Sequence, residues 1–416
     1  MKLQHFIPKS KEKTYYSIPF EVPENVERIT VGYDYKRPVR GALADFFPTN
    51  TIDIGLMDNE GNFLGWSGSA HKEIFVGEFA SSDGYLQRKT VAGTWHILVG
   101  AYRIMDEGVE VTYNIEFTFR ENRLLFGDLH IHTTASDGSL DAYSAGKLAL
   151  KKGLDFVALA NHNNFAENLH LPSLKNLTFI PAVEWTHYRG HMNFFGVAAP
   201  FENSFIANTT DEMRALIRHA KSKGAVISVN HPKCPFCPYL WDDDSAFDMM
   251  EIWNGPMTKR NVKAIIWWTE LLKTGRRIPI CGGSDYHTPY GVTRLGKPVT
   301  GVYTPSRGAA DILNAISSGH AFVAGGVNGA RPKLRYGEAM MGDTVSFDEN
   351  KKLLIEISGL RSEDVILVTD NGERVIARKA AGDLSAEAAV DNIKFAYLML
   401  KKRGFITAVT NPVYFQ

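Results

Sequence analysis

The stretch Leu124-Leu125-Phe126-Gly127-Asp128-Leu129-His130-Ile131-His132 decides how this chain is read. An apolar run ends in two histidines spaced two apart. In a strand, residues two apart share a face, so His130 and His132 point the same way and can share one ion. The same texture recurs downstream in LDFVALANH (154–162), LTFIPAVEW (177–185), AVISVNH (225–231), FDMMEIW (247–253) and RIPICGGSDYH (277–287). Between these runs the spacing predicts helices. One opens at Thr210 as N-cap, with Asp211 and Glu212 in its first turn. It places Met213, Leu216, Ile217 and Ala220 on one face and stops at Gly224. A second carries Val262, Ile265, Ile266 and Thr269 and stops near Gly275, and a third spans about 306–318. Strand alternating with helix this often implies an α/β domain with a parallel sheet, most simply a barrel.

Outward from this centre the texture changes on both sides. Residues 1–120 carry short alternating runs, such as ERITVGYDY and VEVTYNIEFTF, separated by turn signals such as Asp83-Gly84. That pattern predicts an N-terminal β-sandwich-like domain. From 329 to 416 the β texture returns, and Asn371-Gly372 signals a hairpin. The expected organisation is therefore 1–120, 121–328 and 329–416, the outer two all-β. Trp66 and Trp95 in the first are conceivable sugar platforms, but aromatic residues of a β domain serve packing far more often.

The imidazole and carboxylate groups of the central region fall at strand ends. His130 and His132 are followed by Asp137 in a Ser-Asp-Gly turn. His162, Glu184 and His231 each end or nearly end a run. His191 begins the run after a short turn, back beside Glu184 if the two runs pair antiparallel. Asp285 and His287 are again two apart. A single histidine at a strand end is ordinary loop polarity. Six histidines and three carboxylates at successive ends are not. Nine such donors exceed one ion and suffice for two or three, with Glu184 able to bridge. Imidazole with carboxylate suits Zn, Mn or Fe better than Ca or Mg. Arg189, Lys233 and Arg294 lie close in sequence to these donors and are candidate phosphate ligands.

Composition narrows the class further. The 416 residues are 44% hydrophobic and 22% charged, with 46 basic and 46 acidic side chains. Such a balance gives no reason to expect a nucleic-acid partner. No run of about 18 apolar residues predicts a membrane span, and the first residues lack the apolar core of a signal peptide. The expected setting is cytoplasmic. Three cysteines, Cys234, Cys237 and Cys281, do not make a disulfide framework. Cys234-Pro235-Phe236-Cys237 has the spacing of a redox motif, but prolines flank it and no second pair completes a zinc site, which favours a loop.

The motifs resemble the PHP family, named for polymerase and histidinol phosphatase. Gly127-Asp128-Leu129-His130-Ile131-His132 with Ser136-Asp137-Gly138 looks like its first motif, and Ala160-Asn161-His162-Asn163 like its second. Glu184, His191, Asn230-His231-Pro232 and Gly283-Ser284-Asp285-Tyr286-His287 match the rest. The resemblance covers about residues 125–325. It implies a distorted (β/α)7 barrel and hydrolysis of phosphate esters with two or three metals. It also implies one ion on His130, His132, Glu184 and Asp285, a second on Glu184, His191 and His231, and a third on Asp137, His162 and His287. Asn161 stands where the family often has Asp, and Asp137 where many members have His. The flanking β domains and the ending Thr410-Asn411-Pro412-Val413-Tyr414 are similar to the branch that includes carbamate-insecticide (carbaryl) hydrolases.

A bound dication lowers the pKa of its water from 15.7 to about 7, which supplies hydroxide at neutral pH. The leading expectation is a phosphoesterase acting on a small phosphate ester, with Asp137, Glu184, Asp285, Arg189 and Lys233 as the catalytic candidates. A carboxyl-ester, carbamate or amide hydrolase on the same metals is the alternative, favoured by apolar pocket walls without convergent cations. A third reading makes the central region a metal-binding scaffold whose β domains contact glycan or protein.

Overall fold

The protein is described by a computed structural model over residues 1–35, 49–242 and 246–416. Its first eight strands are β1 (Lys2–Ile7), β2 (Tyr15–Val22), β3 (Val26–Tyr35), β4 (Thr51–Met57), β5 (Phe63–Gly68), β6 (Glu73–Gly77), β7 (Gly93–Arg103) and β8 (Val109–Phe119). They form two four-stranded antiparallel sheets, ordered β1-β8-β3-β6 and β2-β7-β4-β5. Alternation explains the arrangement. Ile29, Val31 and Tyr33 of β3 face one side and join Ile54 of β4 and Trp95 of β7 in a single core shared by both sheets. Met1–Glu121 with Ser173–Asn176 and Ser306–Gly308 make one compact unit.

The second unit holds Asn122–Pro172, Leu177–Pro305 and Ala309–Gln416. It begins with β9 (Arg123–Ile131), α1 (Ala142–Lys151), β10 (Phe156–Leu159), β11 (Thr178–His187), β12 (Gly190–Phe195), α2 (Thr210–Ser222) and β13 (Val226–Val229). It continues with β14 (Met249–Asn254), α3 (Lys259–Lys273), β15 (Ile280–Gly283), β16 (Val299–Thr304), α4 (Ala309–Ser317) and β17 (Ala321–Ala324). β9 through β15 pair in sequence order. β9, β10 and β11 run parallel, as do β13, β14 and β15. β12 runs against both its neighbours. No ladder joins β15 to β9; a single parallel bridge between Ile131 and Tyr286 spans that gap.

A regular barrel of seven strand–helix units is therefore not what forms. Among the described residues there are four α-helices. The β11–β12 connection is a tight hairpin with His187 opposite Gly190, too short for a crossover helix. The β10–β11 connection has only the short 3-10 helix Ala166–His170.

Two helix details also differ from the sequence reading. The N-cap of α2 is Thr209, one residue earlier, in a capping box with Glu212. In α3, Ala264, Ile265, Trp268 and Leu272 are buried, whereas Val262 and Ile266 are exposed. Trp268 decides that rotation: its indole N–H donates to the carbonyl of Ile278 at 2.8 Å, which fixes which face is turned inward.

The C-terminal strands are β18 (Arg331–Tyr336), β19 (Ala339–Met340), β20 (Thr344–Val345), β21 (Leu353–Thr369), β22 (Gly372–Ala388), β23 (Phe395–Lys402), β24 (Phe405–Thr410) and β25 (Val413–Phe415). They do not stand apart beyond residue 328. Phe322, Val323 and Ala324 of β17 pair with Thr410, Val409 and Ala408 of β24, so one sheet runs across that boundary. The β21–β22 hairpin turns at Asp370-Asn371, with Gly372 as the first residue of the returning strand. No helix among the described residues is long and apolar enough to cross a membrane.

Candidate metal centre

β9 is buried along most of its length, so both of its faces have work to do. Leu125 and Leu129 enter the apolar core. Asp128, His130 and His132 fall on the opposite face. Asp128 acts as an anchor. Its carboxylate accepts from the backbone N–H of His130 at 3.2 Å, of Ser284 at 2.8 Å and of Gly296 at 2.8 Å. Burial pushes its pKa up to about 6 against the pull of those donors. Asp285 N–H donates to the His130 carbonyl at 2.8 Å, which brings the last strand end beside the first.

Glu184, 1% exposed, is the hub. Its Oε1 lies 3.3 Å from His130 Nε2, 3.2 Å from His191 Nδ1 and 3.3 Å from His231 Nε2, and accepts from Asn230 Nδ2 at 2.9 Å. Its Oε2 lies 2.8 Å from His162 Nδ1 and 3.6 Å from His132 Nε2. Burial alone would raise the Glu184 pKa; His130, His162 and His191 around it hold it well below the usual carboxylate range. Asp285 is likewise opposed by burial and held far down, first by His130 and then by His132. Burial disfavours charge on His130, yet Glu184, Glu251 and Asp285 together raise its pKa well above the ordinary value. For His132 burial prevails and the shift is downward.

Several ring orientations follow from the partners. A carboxylate or carbonyl oxygen can only accept, so a ring nitrogen hydrogen-bonded to it carries the proton. His130 Nδ1–H donates to Glu251 Oε1 at 3.0 Å and His287 Nδ1–H to the Asp285 carbonyl at 3.0 Å. That leaves His130 Nε2 directed at Glu184 and at Asp285, 3.5 Å away, and His287 Nε2 directed at Asp137, 3.4 Å away. His162 Nε2 also faces Asp137, at 3.6 Å. This is how metal-binding histidines are usually oriented by their second nitrogen.

Two donor groups emerge: His130, His132 and Asp285, and His132, Asp137, His162 and His287. In each, one ligand atom per residue lies within 4.8 Å of every other. His191, His231 and Cys237 form a third such group. The fit to divalent ions is testable on the chain itself. His130 Nε2 and both ring nitrogens of His132 are buried and make no hydrogen bond, although both rings are 0% exposed. An unsatisfied buried polar atom costs about 1–3 kcal/mol. Neutral imidazole lone pairs aimed at carboxylate oxygens 3.2–3.6 Å away are repulsive unless a proton or a cation lies between. The residues fit cations in that space.

The backbone is bent to make this arrangement. His231 and Asp285 adopt φ of 29° and 53°, in the left-handed region that non-glycine residues avoid. Such conformations cost about 1–3 kcal/mol each and persist where neighbours over-determine them. Glycines supply the close approaches. A Cβ on Gly283 would lie 2.3 Å from His130 Cβ, and one on Gly138 would lie 2.3 Å from the His132 carbonyl oxygen.

The nine donors expected from the sequence thus form one group: five histidines surround Glu184, Asp285 adjoins His130 and His132, and Asp137 links His132, His162 and His287. The structure does not bring Arg189 into that set. Its guanidinium lies over Trp241, 4.4 Å from the ring centroid, donates to the Leu240 carbonyl at 3.1 Å and pairs with Asp242 at 3.4 Å. Lys233 Nζ sits over Trp267 at 4.0 Å. Arg294 donates to the carbonyls of Gly291 and Thr293. His187, three residues after Glu184, stacks on Trp185 and packs at a tilt against Trp241 instead.

Sequence reasoning missed Glu251. The signal was present: a carboxylate inside the apolar run FDMMEIW must be paired if buried. Asn161 also has an account. Its Oδ1 accepts from Thr133 N–H at 2.9 Å, from the Thr133 hydroxyl at 3.1 Å and from the Ser136 hydroxyl at 3.0 Å, and its Nδ2 donates to Glu167 at 2.8 Å. It ties down the turn that carries Asp137.

No protein-family model matches the chain, and no curated protein matches it. Several solved structures are similar to parts of the chain. A two-domain protein from Bacteroides vulgatus containing a predicted PHP-like metal-dependent phosphoesterase is 16% identical, covering 70% of this chain and 95% of its own, with a TM-score of 0.42. PsfC from Pseudomonas syringae is 18% identical over 47% of this chain and 90% of its own, with a TM-score of 0.36. The lesion-specific endonuclease EndoQ of Pyrococcus furiosus is 18% identical over 47% of this chain and 56% of its own, also at 0.36.

Proposed function

We propose that this protein is a metal-dependent hydrolase, and specifically a phosphoesterase acting on a small phosphate ester with two or three Zn, Mn or Fe ions. One observation carries the reading: the buried, hydrogen-bond-free nitrogens of His130 and His132 directed at Glu184 and Asp285. When bound, divalent ions supply Lewis acidity and lower the pKa of water to about 7. His130, His132, Asp137, His162, Asp285 and His287 would hold the ions, with Glu184 at the centre of the group. His191 and His231 face the same Glu184 oxygen as His130 and would hold a further ion. Asp137, with its side chain 55% exposed, lies at the solvent side between His162 and His287 and is placed to take a proton from an entering water. Arg189 and Lys233, the phosphate candidates of the sequence, lie over Trp241 and Trp267, from which a bound phosphate would have to draw them. The divisions 1–120, 121–328 and 329–416 are kept as functional regions only, the last two being joined by the β17–β24 pairing. Three unpaired cysteines fit a reducing, cytoplasmic setting.

One observation favours the second reading, an ester, carbamate or amide hydrolase of the carbamate-insecticide branch: the Arg189 guanidinium is already engaged by Trp241, Leu240 and Asp242. The test is a screen of the metal-loaded protein against chromogenic phosphate, carboxyl and carbamate esters, with His132→Ala alongside. Phosphate-ester turnover lost in the variant is expected. Turnover of carboxyl or carbamate esters alone would select the second reading.

A further inference from the structure

We propose that the outer face of the sheet β2-β7-β4-β5 binds a glycan, with a pyranose ring stacked on the Trp66 indole and its hydroxyls held by Asp53. The site lies within the N-terminal unit and does not depend on the hydrolase reading.

Strand register assembles it. Trp66 of β5 lies opposite Gly55 of β4, and Gly55 opposite Leu98 of β7. In the neighbouring row Asp53 of β4 lies opposite Gly100 of β7, and Gly100 opposite Tyr15 of β2. Opposed residues, and residues two apart, share a face. That face is the outer one, because Ile52, Ile54 and Leu56 alternate into the core.

Two of these positions carry no side chain, and the Trp66 ring takes the space. A Cβ on Gly55 would lie 2.7 Å from Trp66 Cε3, and one on Gly100 would lie 2.8 Å from Trp66 Cζ2. The indole therefore lies over the backbone of β4 and β7 and turns its other face outward. Tyr15, 80% exposed, stands against it with ring centroids 5.7 Å apart at 67°. Glycine inside a strand weakens the strand and marks a close approach. Aromatic cover of a cross-strand glycine accounts for Gly55. Gly100 lies two strands from Trp66 and is matched to the same ring.

Trp95 shows how a packing indole sits in this unit. It is fully buried, and its N–H donates to the Val91 carbonyl at 2.9 Å. Among the described residues the Trp66 N–H has no hydrogen-bond partner, and the Asp53 carboxylate has neither a hydrogen bond nor an ion pair. Asp53 adjoins the platform: its Cβ lies 3.1 Å from where a Cβ on Gly100 would be. Partial burial raises its pKa, as for a carboxylate withdrawn from water without a donor.

A flat π face beside an unpaired acceptor matches a pyranose. The C–H bonds on one face of the sugar meet the negative face of the indole, and hydroxyls at the sugar's edge donate to the carboxylate. A quaternary ammonium also suits an aromatic face. Here Lys13 and Arg103 share with Asp53 a depression of about 440 Å³, and their charges disfavour a cation. An apolar chain would cover Asp53 without supplying a donor.

The experiment titrates the full-length protein with hexasaccharides of β-glucose, β-xylose, β-mannose and α-galacturonate, following tryptophan fluorescence and heat. At least one is expected to bind and to shift the fluorescence. Trp66→Ala weakens that binding about tenfold or more, while Trp66→Tyr, which keeps a ring, retains part of it. Tyr15→Ala and Asp53→Ala also weaken it, with Tm unchanged. Metal content and ester turnover stay as in the unaltered protein. Failure of all four sugars to bind, or binding that survives Trp66→Ala, overturns the proposal. So does sugar binding lost in His132→Ala but not in Trp66→Ala, which would place the sugar at the metal centre, and so does choline bound where the sugars are not.

Discussion

The Nδ1–H of His130 donates to Glu251 at 3.0 Å, in a place where neither residue meets solvent. The other oxygen of Glu251 accepts from the His231 N–H at 2.9 Å and from Asn254 Nδ2 at 3.2 Å. One carboxylate therefore sets the ring orientation of a histidine on β9 and the backbone of another at the end of β13.

Glu251→Gln replaces one acceptor oxygen by an NH2 that must face a donor. Loss of such a supporting partner typically weakens metal binding 10–100-fold. Competition with a chelator of known affinity measures this. An unchanged affinity would remove Glu251 from the positioning role.

Gly283→Ala introduces a methyl 2.3 Å from His130 Cβ and 2.7 Å from its backbone nitrogen. Backbone on both sides leaves no flexible atom to yield. Overpacking of this kind costs about 1–3 kcal/mol. The urea midpoint should fall with an unchanged slope, and metal affinity should fall with it because His130 is displaced.

Asn161→Asp sets a carboxylate where the Asn161 amide now donates to Glu167 at 2.8 Å. The hydrogen bond becomes a like-charge contact in a buried place. A loss of about 1–3 kcal/mol is expected by denaturant titration. A gain in stability or in turnover would show that the departure from the family motif is not structural.

Cys281 is fully buried between strands, and burial pushes its thiol up to about 12. A pKa raised in the folded state favours the protonated form there. Its contribution to stability is therefore complete below about pH 9 and is lost as the pH rises through about 12. At pH 8 the native protein should leave Cys281 unlabelled by a thiol reagent while the unfolded chain reacts fully. Mass spectrometry of the labelled peptides resolves the two cases.

The donors of the centre were legible in the sequence because strand geometry is local. A period of two puts His130 and His132 on one face, and an apolar run marks where each strand ends. Their meeting around Glu184 was inferable from repeated strand ends. Three things were not. The pairing of β11 with β12 was only conditional in the sequence: the short turn at Tyr188 and Arg189 allows an antiparallel return, but the cross-strand partners decide it. The roles of Glu251 and Asn161 turn on distant partners, His130 at 121 residues from Glu251 and Thr133 at 28 from Asn161. The turning of Arg189 onto Trp241 is likewise a contact across 52 residues, and proximity in sequence to a ligand says nothing of where a long, flexible cation points. By itself the sequence determined which side chains can bind metal and that strand ends present them. Tertiary structure alone decided which nitrogen of each ring faces the centre, because that choice belongs to the acceptor on the other side of the ring.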